Sequence, residues 1–147
     1  MDTLGSTSDA QSIGQWASAI VESRMDGVPA TGAERVCRLK GFGGFGAMEI
    51  REELIEFDTQ RARVAYRVTS GLPAFVHSAT NRWSVEDAGY GHSVITSRAD
   101  IKVAWYVLPA TPLLRLRMGR DVRALLDEMK YRIESGSAHP RKHARAA

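Results

Sequence analysis

The sequence predicts an α+β fold in which one antiparallel sheet is covered by a long C-terminal helix. Between residues 33 and 103, runs of residues alternate between apolar and polar side chains, which is the two-residue period of a strand. After residue 115 the apolar residues recur at intervals of three and four, which is the period of an amphipathic helix. A single sheet has an apolar face to bury, and one helix laid across that face buries it.

Strands are expected at residues 33–40, 47–58, 62–68, 75–85 and 92–103, separated by turn sequences such as FDTQ and EDAGYGH. The second of these segments, AMEIREELIEFD, has the composition of a helix, but the strand before it needs an antiparallel partner there. Tertiary context often overrides a helix propensity of this size. Consecutive strands with short connections predict an antiparallel meander with one buried face and one solvated face.

The C-terminal helix is expected over residues 116–133. Pro109 and Pro112 precede it and Gly136 follows it, as the start and stop signals of helices do. Residues 136–147, which come after the helix, are predicted to be a disordered basic tail because polar chain ends are usually solvated.

The beginning of the chain is less regular. In GQWASAIVESRMDG, Trp16, Ile20 and Val21 share one face at helical spacing, so a short helix or an irregular apolar segment is predicted. The chain of 147 residues suits one domain and contains no internal repeat. We therefore expect a variable segment over residues 1–14 and one domain over residues 15–135.

The net charge of +3 comes from the C-terminal tail. The stretch GSAHPRKHARAA contains Arg141, Lys142 and Arg145 and no acidic residue, which leaves the body of the protein near neutral. Proteins that bind nucleic acids usually cluster basic residues on one face of the folded body. No nucleic-acid partner is expected.

Cysteine usage and the chain start indicate the compartment. Cys37 is the only cysteine, so no internal disulfide can form, which fits a reducing environment. The first residues, MDTLGSTSDAQ, lack the basic and apolar regions of a secretory signal. No run approaches the roughly 18 apolar residues that cross a bilayer. A cytoplasmic protein without a membrane span is expected.

The stretch GFGGFG places Gly41, Gly43 and Gly46 at the G-x-G-x-x-G spacing of dinucleotide-binding loops. That interpretation needs a nearly all-apolar strand before the loop and an acidic residue at the end of the next strand. The preceding strand carries Arg35 and Arg38, and the later strand RVAYRV ends without an acid. A glycine-rich turn between two antiparallel strands is the preferred prediction, and no nucleotide cofactor is expected.

The residues that most often carry catalysis show no familiar arrangement. The four histidines are His77, His92, His139 and His143. None of them pairs with another histidine, a cysteine or an acid at metal-ligand spacing, so no metal is expected. No nucleophile elbow and no Ser–His–Asp order stands out. No cofactor of any kind is predicted.

Polar residues on the strand faces that should point inward form the candidate ligand site. They alternate with apolar residues, and small-molecule sites are typically apolar cavities with a few polar groups. The predicted ligand-binding residues are Arg35, Tyr66, Phe75, His77, Asn81, Trp83, Ser93, Ile95 and Ser97. The candidates for catalysis among them are His77, Tyr66 and Arg35.

Each catalytic candidate also has a purely structural interpretation. Tyr66 can be a core tyrosine, and His77 can be a sheet residue bonded to a neighbour. Arg35 can pair with Glu49 or Glu53 on the next strand. The sequence leaves these alternatives open.

Several loose motifs occur in a characteristic order, ahead of the closing helix. They are G-x-x-R at Gly32 and Arg35, E-x-L…D over residues 52–58, Y-x-V at Tyr66 and Val68, and GHSVI over residues 91–95. Together they resemble the polyketide cyclase/dehydrase-like branch of the START-type, helix-grip superfamily. The resemblance covers residues 16–135.

The resemblance implies a helix-grip fold, in which a curved antiparallel sheet wraps around a long C-terminal helix and encloses a hydrophobic cavity. Some members of the family are aromatases or cyclases of poly-β-ketone chains, in which a cavity Arg, Tyr or His polarises a carbonyl or assists dehydration. Others bind lipids, hormones or partners without doing chemistry. Binding of a hydrophobic small molecule, a lipid or a polyketide-like compound, is therefore the first expectation. A polyketide aromatase/cyclase or dehydratase is the alternative.

One feature departs from the family pattern. The family begins with an edge strand and a short helix, whereas the residues before Trp16 are rich in Ser, Asp and Gly and poor in strand formers. A missing first strand would leave an unpaired sheet edge. A third possible function is therefore an interaction protein that uses this edge, and a homodimer through the exposed edge is expected.

Overall fold

The computed structural model describes residues 17–41 and 44–144. They form one six-stranded sheet in which the strands follow chain order and every neighbouring pair is antiparallel. The strands are β1 Ile20–Met25, β2 Glu34–Leu39, β3 Met48–Asp58, β4 Arg63–Ser70, β5 Val76–Gly89 and β6 His92–Val103. A 3-10 helix, Trp105–Ala110, leads into the long helix α1, Thr111–Ser135, and a short helix α2, Pro140–Ala144, follows. The predicted α+β class, a meander closed by a long helix, is confirmed.

Strand β3 forms in spite of its helical composition. It pairs with β2 on one side and with β4 on the other, so its backbone hydrogen bonds are satisfied across the sheet. Its side chains alternate in burial, and Ile50, Glu52 and Leu54 are all buried on one face. The long-range pairing outweighs the local preference for a helix.

The prediction of a short helix or an irregular segment near the chain start is wrong for Ile20–Met25, which form the edge strand β1. The register shifts between Ile20 and Glu22, which is the signature of a β-bulge. The extra residue lets both Ile20 and Met25 reach the core although they are an odd number of positions apart in the sequence. The bulge therefore hides the strand period. Trp16 and the predicted variable segment 1–14 lie outside the described residues.

Helix α1 packs its C-terminal half against the inward face of the sheet. The core there contains Met25, Leu54, Val64, Tyr66 and Trp83, and Leu125, Leu126 and Met129 of α1 pack against it. The inward-facing side chains of β5 and β6 are less covered, and Asn81, Ile95 and Ser97 are only half-buried. We call this part of the face, with Ile101, the open half.

Both ends of α1 match the sequence signals. Pro112 lies in its first turn, and Gly136 ends it in the left-handed conformation with φ 72°. The chain beyond Gly136 differs from the predicted disordered tail because α2 forms there. The Lys142 ammonium donates hydrogen bonds to the carbonyl oxygens of Ala17 (3.1 Å) and Ile20 (2.8 Å), which fastens α2 to the start of β1. Residues 145–147 lie outside the part of the chain that is described.

The GFGGFG stretch connects β2 to β3, and Leu39 pairs with Met48 across it. Gly44 adopts φ 86°, and a side chain there would collide with the Arg117 guanidinium of α1. The turn interpretation is confirmed for Gly44, whereas Gly43 and Phe42 lie outside the described residues.

Strands β1 and β6 are the two edges of the sheet within residues 17–41 and 44–144. The pairing of an open edge with a second copy or another partner stays a prediction.

Candidate functional site

A band of polar side chains crosses the inward face of the sheet from β2 to β6. We call Arg35, Glu52, Tyr66, Asn81 and Ser97 the polar band. Arg35 lies directly opposite Glu52, and Tyr66 lies directly opposite Asn81. The Ser97 hydroxyl donates a hydrogen bond to the Asn81 side-chain oxygen at 3.1 Å. Strand pairing therefore brings together residues that are far apart in the sequence.

The Arg35 and Glu52 side chains form a buried ion pair, and the two residues are 7% and 8% exposed. Arg35 Nε and Nη2 both donate to Glu52 Oε2, at 2.9 and 2.5 Å. The Cys37 thiol lies 3.6 Å from the same carboxylate oxygen. Burying either ion alone would cost several kcal/mol, and pairing with good geometry offsets that cost.

The charge state of Arg35 follows from the same contacts. Burial lowers the pKa of its guanidinium, but the nearby Glu52 carboxylate, with smaller contributions from Tyr66 and Cys37, more than offsets this. The net effect raises the pKa above its ordinary value. Arg35 is therefore a fixed cation that its partner neutralises.

Tyr66 lies against this pair. The Arg35 guanidinium carbon is 3.9 Å from the centroid of the Tyr66 ring, which is the geometry of a cation–π contact. Burial raises the pKa of the Tyr66 hydroxyl, and the opposing effect of Arg35 is smaller. The hydroxyl is therefore protonated at neutral pH and can donate a hydrogen bond.

Three polar atoms of the band have no hydrogen-bond partner among the described residues: Arg35 Nη1, Glu52 Oε1 and Tyr66 Oη. In the same part of the chain, no fully buried side-chain nitrogen or oxygen lacks a partner. These three atoms are therefore not fully buried. A group that reached them would meet a cation, a neutral donor and an acceptor.

Six of the predicted ligand-binding residues lie on this part of the sheet: Arg35, Tyr66, Asn81, Trp83, Ile95 and Ser97. Trp83 lies beside the band in the core, and Ile95 packs against the same core. Ser97 and Ile95 are half-buried on the open half. A polar group at the band therefore has apolar neighbours.

Phe75, His77 and Ser93 lie elsewhere. The register of β5 shifts between Val76 and Ser78, and this bulge leaves His77 exposed instead of continuing the inward alternation. Ser93 is exposed at the start of β6. The Phe75 ring packs against Phe45 at the end of the sheet, with 5.4 Å between ring centroids.

Glu52 is the member of the polar band that the sequence analysis missed, since Glu49 and Glu53 were the expected partners of Arg35. Glu53 instead pairs with Arg67 at 2.7 Å on the solvated side. The strand period indicates its position, because Glu52 lies two residues from both Ile50 and Leu54 and therefore shares their inward face.

A surface cavity of about 760 Å³ opens at another place, where β1 begins and β2 ends. Apolar Leu39 and Met48 line it, with the cations Lys40 and Lys142. Its lining contains no predicted ligand-binding residue and no member of the polar band. It is a broad, open cleft, so the polar band is the stronger candidate site.

Other kinds of site find little support in the described chain. Residues 17–41 and 44–144 contain no group of three His, Cys, Asp or Glu side chains that could hold a metal ion. None of the helices described there is long and apolar enough to cross a membrane.

Comparison with known proteins identifies relatives of the domain. The model of the family described as polyketide cyclase/dehydrase and lipid transport matches residues 3–134, starting ahead of the domain boundary expected at residue 15. A search of curated proteins found no match.

Solved structures share the fold. A START superfamily protein from Mycobacterium smegmatis is 16% identical, with a TM-score of 0.68 over 88% of this chain and 86% of that one. A norcoclaurine synthase from Thalictrum flavum is 20% identical, with a TM-score of 0.68 over 92% and 86%. The di-domain ARO/CYC StfQ of the steffimycin biosynthetic pathway is 13% identical, with a TM-score of 0.67 over 86% of this chain and 43% of that one. These likenesses confirm the predicted helix-grip fold.

Proposed function

The chain belongs to the polyketide cyclase/dehydrase and lipid transport family, and from that premise we propose that it binds a hydrophobic small molecule, a lipid or a polyketide-like compound, on the inward face of its sheet. The observation that carries the proposal is the pair of hydrogen-bond donors Arg35 Nη1 and Tyr66 Oη, which have no partner among the described residues. Both donors lie beside the core that contains Leu54, Val64 and Trp83.

The donors define the polar part of the ligand. A carbonyl or carboxyl oxygen can accept from Arg35 and Tyr66 together, because the guanidinium lies directly over the tyrosine ring. A hydrogen bond to a neutral partner contributes about 0.5–1.5 kcal/mol, and one to a charged partner about 1.5–3 kcal/mol. The oxygen is therefore expected to point toward the polar band.

The open half supplies the surface for the apolar part of the ligand. Ile95 and Ile101 are half-buried there, and Trp83 lies in the adjacent core. Covering such side chains contributes about 25 cal/mol for each Å² of apolar area removed from water. In small-molecule sites, a few polar groups usually orient the ligand and the apolar surface supplies most of the affinity. The polar band and the open half would have these two roles here.

The pKa directions favour binding over catalysis. A general acid works best with a pKa near the working pH, but burial raises the pKa of both the Tyr66 hydroxyl and the Cys37 thiol. Tyr66 is therefore suited to donating a hydrogen bond while keeping its proton. His77 takes no part because it is exposed at the bulge of β5.

A second candidate function is a cyclase or dehydratase acting on a bound poly-ketone. The specific observation that favours it is the contact of the Arg35 cation with the Tyr66 ring, at 3.9 Å between the guanidinium carbon and the ring centroid. Two donors aimed at one oxygen would stabilise the negative charge that develops on an enolising carbonyl. In this candidate Arg35 polarises the carbonyl and Tyr66 donates to the same oxygen.

Native mass spectrometry of the protein purified from its own host tests the binding proposal. We expect a co-purifying hydrophobic molecule on the wild type, less of it on Tyr66→Phe, and unchanged occupancy on the control Tyr131→Phe, which changes an exposed ring of α1. Equal occupancy of all three proteins, or a wild type that carries nothing and takes up no added apolar ketone, would contradict the proposal.

The enzymatic candidate has its own test. The protein is incubated with a linear poly-β-ketone thioester, and product mass is followed for loss of water. Turnover that Tyr66→Phe leaves intact would eliminate this candidate, whereas binding without turnover would leave the first proposal standing.

A further inference from the structure

The 3-10 helix and the first turns of α1 expose an unusual amount of apolar surface. Trp105 is 81% exposed, Leu116 72%, Tyr106 60%, Leu108 56% and Leu113 54%. The Trp105 and Tyr106 rings contact each other edge to face, with 6.0 Å between centroids. Single exposed apolar residues are ordinary, but a run of five large ones within one short segment marks an interaction site.

Cations accompany these side chains. The first half of α1 carries four exposed arginines, which are Arg115, Arg117, Arg120 and Arg123. Asp121 is the only acidic residue between Trp105 and Arg123 in the sequence. The segment therefore combines a positive field with apolar side chains.

The helical period arranges the two kinds of residue on one face. Leu113, Leu116, Arg117 and Arg120 follow at intervals of three, one and three, so they line one exposed stripe of α1. The opposite stripe includes Leu125, which packs against the sheet. The stripe is apolar at the start of the helix and cationic one turn later.

We propose that the exposed residues of this segment form a docking surface for an anionic lipid bilayer. The docking surface comprises Trp105, Tyr106, Leu108, Leu113, Leu116, Arg117, Arg120 and Arg123. Tryptophan and tyrosine prefer the membrane–water interface, and leucines enter its apolar side. Arginines bury their stems there while the guanidinium groups reach anionic headgroups.

Charge complementarity favours a bilayer over a second copy of the chain. A symmetric dimer through the docking surface would place Arg117, Arg120 and Arg123 of each copy against those of the other. Like charges brought together in this way repel, whereas anionic headgroups attract all of them. This docking goes beyond ligand binding and does not depend on the polar band.

Vesicle flotation tests the proposal, with phosphatidylcholine vesicles that either contain or lack phosphatidylglycerol. We expect the wild type to float with the anionic vesicles, to stay behind with the neutral ones, and to be released by added salt. Leu113→Ser/Leu116→Ser and Arg120→Glu/Arg123→Glu should each weaken anionic binding by at least about tenfold, since each arginine near such a surface contributes substantially.

Matched controls change similar residues elsewhere. Tyr90→Ala removes a fully exposed ring from the β5–β6 turn, and Arg24→Glu reverses an exposed charge on β1. Both should bind anionic vesicles as the wild type does. The double variant Arg35→Met/Glu52→Leu should also float normally, which separates this proposal from the ligand site.

Three results would overturn the proposal. The first is equal binding, or none, to both kinds of vesicle. The second is anionic binding that the docking-surface variants leave unchanged. The third is a wild-type dimer in sedimentation equilibrium that Leu113→Ser/Leu116→Ser converts to monomer, because a second copy would then cover the surface.

Discussion

Arg35 and Glu52 face each other directly across β2 and β3, with Arg35 Nε donating to Glu52 Oε2 at 2.9 Å in a part of the protein where both residues are buried. The pair lets the inward face of the sheet hold a permanent cation without a net charge. The Arg35 guanidinium also stacks on the ring of Tyr66, whose hydroxyl is neutral. The proposed function depends on this relationship.

Glu52→Gln should destabilise the protein by about 3 kcal/mol, because removing one partner of a buried ion pair leaves the other charge uncompensated. The double variant Arg35→Met/Glu52→Leu should recover most of that loss, since apolar side chains of similar volume need no partner. Urea unfolding measures both. A double variant that is less stable than Glu52→Gln would show that the pair is needed for the fold itself.

The pH dependence of Tyr66 has a definite sign. Burial raises the pKa of its hydroxyl, so the folded protein keeps this proton where the unfolded chain loses it. The contribution to stability is fully present below about pH 10, the ordinary tyrosine pKa, and is lost as the pH rises through the raised value. Absorbance titration of tyrosinate should show a late step that Tyr66→Phe removes. If the tyrosinate absorbance of the wild type and of Tyr66→Phe differed only at pH values at or below the ordinary tyrosine pKa, this account would be contradicted.

Much of the fold could be predicted from the sequence because strand and helix periods are local. The alternation of residues around Tyr66 and Trp83 correctly predicted that both side chains face the core. Gly136 correctly predicted the end of α1. The failures at β1 and at His77 have one physical cause. A β-bulge inverts the alternation, and no glycine or proline marks either bulge in the sequence.

The candidate site and the other buried polar contacts were less predictable than the fold because they join residues on elements that are distant in the sequence. Glu128 shows the difficulty: it reads as part of the polar side of an amphipathic helix, yet it is 1% exposed. Its carboxylate accepts hydrogen bonds from the Ser18 backbone N–H at 2.7 Å and the Ser18 hydroxyl at 2.6 Å. Nothing within α1 indicates a partner so far away in the chain.

Glu128→Ala should therefore destabilise the protein by about 3 kcal/mol, since hydrogen bonds to a charged group contribute about 1.5–3 kcal/mol each and Ser18 loses both. Asp127→Ala is the matched control, because both carboxylates lie near the Arg141 guanidinium, Glu128 at 3.9 Å and Asp127 at 3.7 Å, but the Asp127 side chain is 68% exposed. Exposed ion pairs contribute at most about 1 kcal/mol. Equal losses in thermal unfolding for the two variants would be evidence against the buried Glu128–Ser18 contact.

Gly71 should tolerate no side chain. It adopts φ 91°, and a Cβ there would collide with the backbone carbonyl oxygen of Glu49, which cannot move aside as a side chain can. Gly89 has a similar φ of 78° but open space around it. Gly71→Ala should therefore cost about 2 kcal/mol more than Gly89→Ala, as steric overlap adds to the backbone strain that both share. Chemical denaturation measures the free energy of unfolding of both variants. Equal losses of stability would show that the close approach of Gly71 to the Glu49 carbonyl oxygen does not matter.

The most direct test of the central claim is a fluorescence titration with 6-propionyl-2-dimethylaminonaphthalene, an apolar aromatic ketone whose emission shifts to the blue when it leaves water. The wild type should bind it with a blue shift, and Tyr66→Phe should bind it about 2- to 10-fold more weakly, as the loss of one hydrogen bond to a neutral partner implies. Tyr131→Phe should match the wild type. If the wild type does not bind the ketone, or if Tyr66→Phe binds it as tightly as the wild type, the polar band is not a ligand site.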